Sequence, residues 1–213
     1  MAGSMNKYLA ELLGTFVLVG LGTMAILNTG FNVVGIAFGF GLALMAGIYM
    51  FGDVSGAHFN PAVTLAMVLN KKTEMSDAVG YWVAQVAGAV LAASLVAYAT
   101  STEAVSQTVT RVGEGLEPVQ GMLLEAILTA IFVIVILRST SGDGRSAAYA
   151  IPLTLVVIHL AATGISGASV NPARSLGPAI IASDMDDIWV YIVGPLVGGA
   201  VGFYFDKFVN VDA

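Results

Sequence analysis

The chain has 213 residues, 57% of them hydrophobic and only 10% charged, with a formal net charge of −6 and no cysteine. A soluble domain carries about 25% charged residues, so this composition, with a mean hydropathy of +0.88, excludes an ordinary soluble protein and points to one embedded in a lipid bilayer. The missing cysteines exclude disulfides, a thiolate nucleophile and a cysteine metal site, and the acidic balance argues against a nucleic-acid partner.

In chain order, residues 1–4 read as a cloning remnant before a native start at Met5, leaving residues 5–213 as one membrane domain. Crossing ~30 Å of hydrocarbon takes ~20 helical residues. Six runs are long enough: Tyr8–Asn28, Val33–Gly52, Ala78–Thr100, Val119–Arg138, Ala147–Gly164 and Ile188–Phe208. Two more, Asn60–Asn70 and Asn171–Ile181, reach only about half-way at 1.5 Å per residue. Two such half-helices meeting end to end make one further crossing.

With the N-terminus in the cytoplasm, Lys7, Lys71, Lys72, Arg138, Arg145 and Lys207 fall on the inner side and only Arg111 and Arg174 on the outer. That satisfies the positive-inside bias and predicts a multi-pass protein of the cell membrane with both termini cytoplasmic. The outer connections carry Glu103, Glu114, Glu117, Asp184, Asp186 and Asp187. They read as a solvated face, with an ion-attracting vestibule as the alternative.

The chain is internally duplicated. Ser55-Gly-Ala-His-Phe-Asn-Pro-Ala62 returns as Ser166-Gly-Ala-Ser-Val-Asn-Pro-Ala173, with Asn60 and Asn171 111 residues apart. Glu11 and Thr15 return 114 residues on as Glu125 and Thr129, and the ladder Ala84, Gly88, Ala92 returns 110 on as Gly194, Gly198, Gly202. Repeat one covers about residues 5–100 and repeat two about 119–208. Each holds three crossings and a half-helix. Three is odd, so the halves enter from opposite faces, related by a pseudo-two-fold axis in the membrane plane, with function expected where they meet.

Asn favours the helix N-cap and Pro the first helical position, so Asn60-Pro61-Ala62 and Asn171-Pro172-Ala173 are predicted to start the half-helices. Each start carries roughly +0.5 of a charge. If each Asn oxygen caps its own helix, the two amide NH₂ groups are left to hold the oxygen of a passing water, and the positive ends oppose cations and protons. Non-helical backbone at this depth must face water, so the carbonyls of Gly56, Ala57, His58 and Phe59, and of Gly167, Ala168, Ser169 and Val170, are expected to line the path.

These paired motifs, His-Phe-Asn60-Pro-Ala-Val-Thr64 and Ser-Val-Asn171-Pro-Ala-Arg174-Ser, together with Glu11-x-x-Gly-Thr-Phe16, resemble those of the aquaporins, within the major intrinsic protein family. The resemblance covers the chain from Met5 and implies an all-α bundle of six tilted transmembrane helices with two re-entrant half-helices, assembled as a homotetramer with one pore per subunit. By spacing from the two Asn residues, the family's selectivity-filter positions fall on Phe40, His159, Ala168 and Arg174. Phe, His, a small residue and Arg resemble the water-selective branch; glycerol facilitators usually carry Gly at the His position, an aromatic at the loop position and Asp after the Arg, where this chain has Ser175. The rings facing a guanidinium are expected to leave a gap one water wide, with Arg174 and His159 as donors. Tyr191-Ile192 departs from the family's frequent Tyr-Trp.

The expected function is passive conduction of single-file water, with no catalysis, cofactor or metal, and with water and the bilayer as partners. Other small neutral solutes (glycerol, ammonia, carbon dioxide) are the alternative, and a proton-coupled transporter is a further one. Glu11 and Glu125 read either as buried acids holding the loops, the role the resemblance implies, or as a proton relay. His58 reads as scaffold or as a pH-sensitive element.

Overall fold

The computed structural model describes residues 2–142 and 144–210. Met1, within the stretch read as a cloning remnant, lies outside them, as do residues 211–213. Nine helices are present among the described residues: α1 (Ala2–Asn28), α2 (Val33–Ser55), α3 (Pro61–Leu69), α4 (Met75–Ala99), α5 (Thr102–Ser106), α6 (Pro118–Ser139), α7 (Ala147–Ser166), α8 (Pro172–Ala182) and α9 (Ile188–Val209). α1, α2, α4, α6, α7 and α9 are long and apolar enough to cross a membrane. α3 and α8 are the two half-helices.

Local chemistry sets the ends. The Asn60 oxygen accepts from Ala62 N, and that of Asn171 from Ala173 N and Arg174 N, each followed by Pro at the first turn. α2 and α7 run on to Ser55 and Ser166, a few residues past the predicted Gly52 and Gly164. There Gly56 (φ 86°) and Gly167 (φ 82°) take the left-handed conformation that closes a helix. α4 starts at Met75 rather than Ala78. The five-residue α5 was not expected from the sequence; Ser101 caps it by accepting from Ala104 N.

α1 packs on α2 and α4, α6 on α7 and α9, and α2 on α7 across the two halves. The half-helices cross over: α3 lies mainly on α9 and α8 mainly on α4. The small-residue ladders make this close. A Cβ on Gly88 would stand 2.2 Å from the Leu12 carbonyl oxygen, and one on Gly198 2.2 Å from that of Ala126, so backbone rests on backbone as it does at tight membrane-helix crossings. Leu18, Phe40, Leu44, Val63, Phe132 and Leu155 belong to the central apolar cluster. Leu21, Val83, Leu91, Ile127, Val157 and Val201 lie exposed on the outside of the bundle. At the face bearing both chain ends, Lys7 and Tyr8 reach Asp77 at 3.7 and 3.1 Å, and Arg138 meets Asp206 at 2.6 Å. These pairs tie α1 to α4 and α6 to α9.

Candidate functional site

The two half-helix starts meet head to head. Asn60 Nδ2 donates to the Val170 carbonyl at 2.7 Å, and Asn171 Nδ2 to the Phe59 carbonyl at 2.9 Å. This reciprocal pair corrects one expectation. Each amide spends one of its two N–H groups on the opposite loop, leaving one for a water. The Phe59 and Val170 carbonyls each accept one bond within the protein, because loops from opposite faces lie close enough to bond, and each keeps a second lone pair.

Each loop hangs from a buried acid. Glu11 accepts from Ser55 Oγ (2.6 Å), His58 N (2.9 Å), Phe59 N (2.7 Å) and Gln85 Nε2 (2.7 Å). Glu125 accepts from Ser166 Oγ (2.7 Å), Ser169 N (2.9 Å) and Val170 N (2.7 Å). Every one of these partners is a donor. The bonds hold Ala57, Phe59, Ala168 and Val170 at φ values of 51°, 49°, 48° and 47°, a conformation costing roughly 1–3 kcal/mol per non-glycine residue. Hydrogen bonds to a charged acceptor contribute about 1.5–3 kcal/mol each, enough to offset it.

Several supports escaped the sequence reading. Tyr81 Oη donates to the Ser55 carbonyl (2.7 Å) and Tyr191 Oη to that of Ser166 (2.9 Å). The two tyrosines, 110 residues apart, repeat the offset of the glycine ladder, a signal that could have found them. Thr64 Oγ1 donates to the Asn60 carbonyl (3.1 Å) and accepts from Gln85 Nε2 (2.9 Å). The contact of His58 Nδ1 with Thr64 Oγ1 at 3.1 Å is then a bond that His58 donates. In the second half Ser175 takes the place of Thr64, contacting Ser169 at 2.6 Å, and Thr110 from the central connection donates to it at 2.7 Å. Trp82 Nε1 donates to the Pro61 carbonyl at 3.2 Å; its repeat counterpart is Ile192, which has no such donor.

A cavity of about 490 Å³ runs from Tyr49, Asp53, Gly144 and Ala148 at the terminus-bearing face to Phe40, His159 and Arg174. Its lining combines the apolar side chains of Leu44, Ile48, Val63, Met67, Ile136 and Leu155 with Gly56, Ala57, His58, Asn60, Ser169, Val170 and Asn171. Phe59, Gly167 and Ala168 are absent from this lining, as are Pro61, Ala62, Pro172 and Ala173 behind the Asn tips.

Three of the four proposed filter residues come together at the cavity's end. The Phe40 and His159 rings stack at 4.7 Å between centroids and 16° between planes, and Arg174 Cζ stands 4.7 Å from the Phe40 centroid. This differs from the expected gap. The groups lie on one another, and Phe40, His159 and Arg174 are 2%, 1% and 5% exposed. Ala168 is buried in the loop after α7, with its N–H on Ser166 Oγ at 3.3 Å. His159 Nδ1 lies 3.0 Å from the Leu155 carbonyl. A carbonyl only accepts, so Nδ1 carries the hydrogen and Nε2 of the neutral ring is an acceptor, not the donor expected. His159 Nε2 and Arg174 Nε and Nη1 have no protein partner. The cavity's end thus holds guanidinium donors and an imidazole acceptor that no protein group satisfies.

The profile of the family described as major intrinsic protein matches residues 1–205. A glycerol uptake facilitator protein-like 6 of Lactiplantibacillus plantarum is 41% identical over 94% of this chain and 96% of its own length. An aquaporin Z of Brucella melitensis is 38% identical over 93% and 95%. Among solved structures, the aquaglyceroporin of Plasmodium falciparum superposes with a TM-score of 0.87 at 27% identity, covering 97% of both chains.

Proposed function

We propose, because this chain belongs to the major intrinsic protein family and its narrow point joins Phe40, His159 and Arg174, that it is a passive channel conducting water in single file down osmotic gradients. Water enters from the cavity, where the apolar side chains hold it weakly and the loop residues ahead of α3 and α8 supply acceptors. At the centre its oxygen takes the free N–H of Asn60 and of Asn171, which turns both its hydrogens outward. Two positive helix ends aimed at that point raise the energy of a cation or proton there. At the narrow point Arg174 donates and His159 accepts, replacing bonds the water loses. Glu11 and Glu125 hold the loops and do not relay protons; a carboxylate surrounded only by donors keeps its oxygens as acceptors. No catalytic step, metal or cofactor is needed. The family's arrangement supports a homotetramer in the cell membrane, and the lysine and arginine distribution supports cytoplasmic termini.

Glycerol conduction is a second reading, favoured by the names of two similar proteins. Against it stand two stacked rings where a carbon backbone would need room, the small Ala168, and Ser175 after Arg174. Stopped-flow shrinkage of proteoliposomes separates the two. Water efflux far faster than from bare lipid, with glycerol entry near the bare-lipid rate, is expected. Comparable acceleration of both would assign the chain to the glycerol-conducting kind.

A further inference from the structure

We propose that Gly22 is a positioning residue for the narrow point, a seat on α1 that keeps the Phe40 ring back from the passage; this rests on the filter reading above. A Cβ on Gly22 would lie 2.2, 2.4 and 2.6 Å from Cε1, Cδ1 and Cζ of Phe40. Restoring van der Waals contact at about 3.5 Å would require the ring to move by roughly 1.3 Å. Its neighbours leave few directions. His159 is stacked on it at 4.7 Å and the Arg174 guanidinium stands at 4.7 Å. α1 and α2 are in close contact alongside, where a Cβ on Gly39 would stand 2.3 Å from that of Ala25. The open side is the cavity the ring lines, so any side chain at position 22 drives Phe40 into the path of the solute.

The same helix repeats the device. A Cβ on Gly14 would lie 1.9 Å from Cε1 of Phe59, the loop residue whose carbonyl accepts from Asn171. Between the two glycines is Leu18, the α1 residue that lines the cavity. Spacings of four put Gly14, Leu18 and Gly22 along one face. α1 therefore touches the path at one point, yet seats an aromatic ring at the centre and another at the narrow end.

The test is a two-background comparison in proteoliposomes matched for incorporated protein: wild type, Gly22→Ala, Phe40→Ala and the double variant. Gly22→Ala is expected to lower water permeability several-fold when the ring is present and to change nothing in the Phe40→Ala background. Equal permeability of Gly22→Ala and wild type overturns the proposal, as does the same loss in both backgrounds. If Gly22→Ala fails to reach the bilayer, the double variant decides: its incorporation at the Phe40→Ala level locates the conflict at the ring, and its failure overturns the proposal. A wild-type protein no faster than bare lipid instead defeats the water-channel reading, an outcome distinct from those.

Discussion

At the level of single residues, the filter role proposed for Arg174 makes a specific prediction. The side chain's Nε and Nη1 have no protein partner, and its guanidinium lies at the cavity's end against Phe40. A like charge at 4 Å costs on the order of 4 kcal/mol at an effective dielectric of about 20. Arg174→Ala removes that barrier and widens the site. Glycerol and urea entry should rise several-fold, with water permeability kept within a few-fold, as measured by stopped-flow light scattering; an unchanged solute profile would remove Arg174 from the filter. The types and spacing of these residues were readable in the sequence, because Phe40, His159 and Arg174 sit at fixed distances from Asn60 and Asn171. Their hydrogen-bond directions were not. The Nδ1–H of His159 depends on the Leu155 carbonyl one turn back, and the half-spent amides of Asn60 and Asn171 depend on a loop more than a hundred residues away. Neither is a local property of the sequence.

At the level of elements, the loops ahead of α3 and α8 owe their shape to Glu11 and Glu125. In Glu125→Gln an amide NH₂ replaces one acceptor oxygen and faces the N–H of Ser169 or Val170, or the hydroxyl of Ser166. Losing such a bond costs on the order of 2–3 kcal/mol, while Val170 keeps its left-handed backbone (φ 47°). The purified variant should unfold at lower temperature in detergent than wild type; an unchanged midpoint would mean that the loop holds its shape without the carboxylate. The long helices were legible from apolar length, and the half-helices from Asn-Pro at their starts. The ends of α2 and α7 were less so, because Ser55 and Ser166 are polar yet still helical, tied by hydroxyl bonds to Glu11 and Glu125. The short α5 carries too little hydrophobic pattern to announce itself. Thr110 and Gln85 show why sequence repetition alone was incomplete: they support Ser175 and Thr64 in equivalent places from non-equivalent parts of the chain.

At the level of the whole molecule, the duplication does work that no single segment can. A helix start in mid-membrane is an exposed set of N–H groups with a partial positive charge. Pairing two of them head to head, each braced on the last long helix of the other half, puts two partial positive charges and two amides, each with one N–H spent on the opposite loop, in one place, the arrangement on which the proposed selectivity rests. The central claim is that this opposed pair passes water and refuses protons. Its most direct test is a simultaneous measurement in one preparation: proteoliposomes carrying an entrapped pH-sensitive dye, challenged with an osmotic step and separately with a pH step. Water efflux far above that of bare lipid, with internal pH relaxing no faster than in bare lipid, is the expected result. Proton entry that rises with the amount of protein, or water efflux that does not, would contradict it.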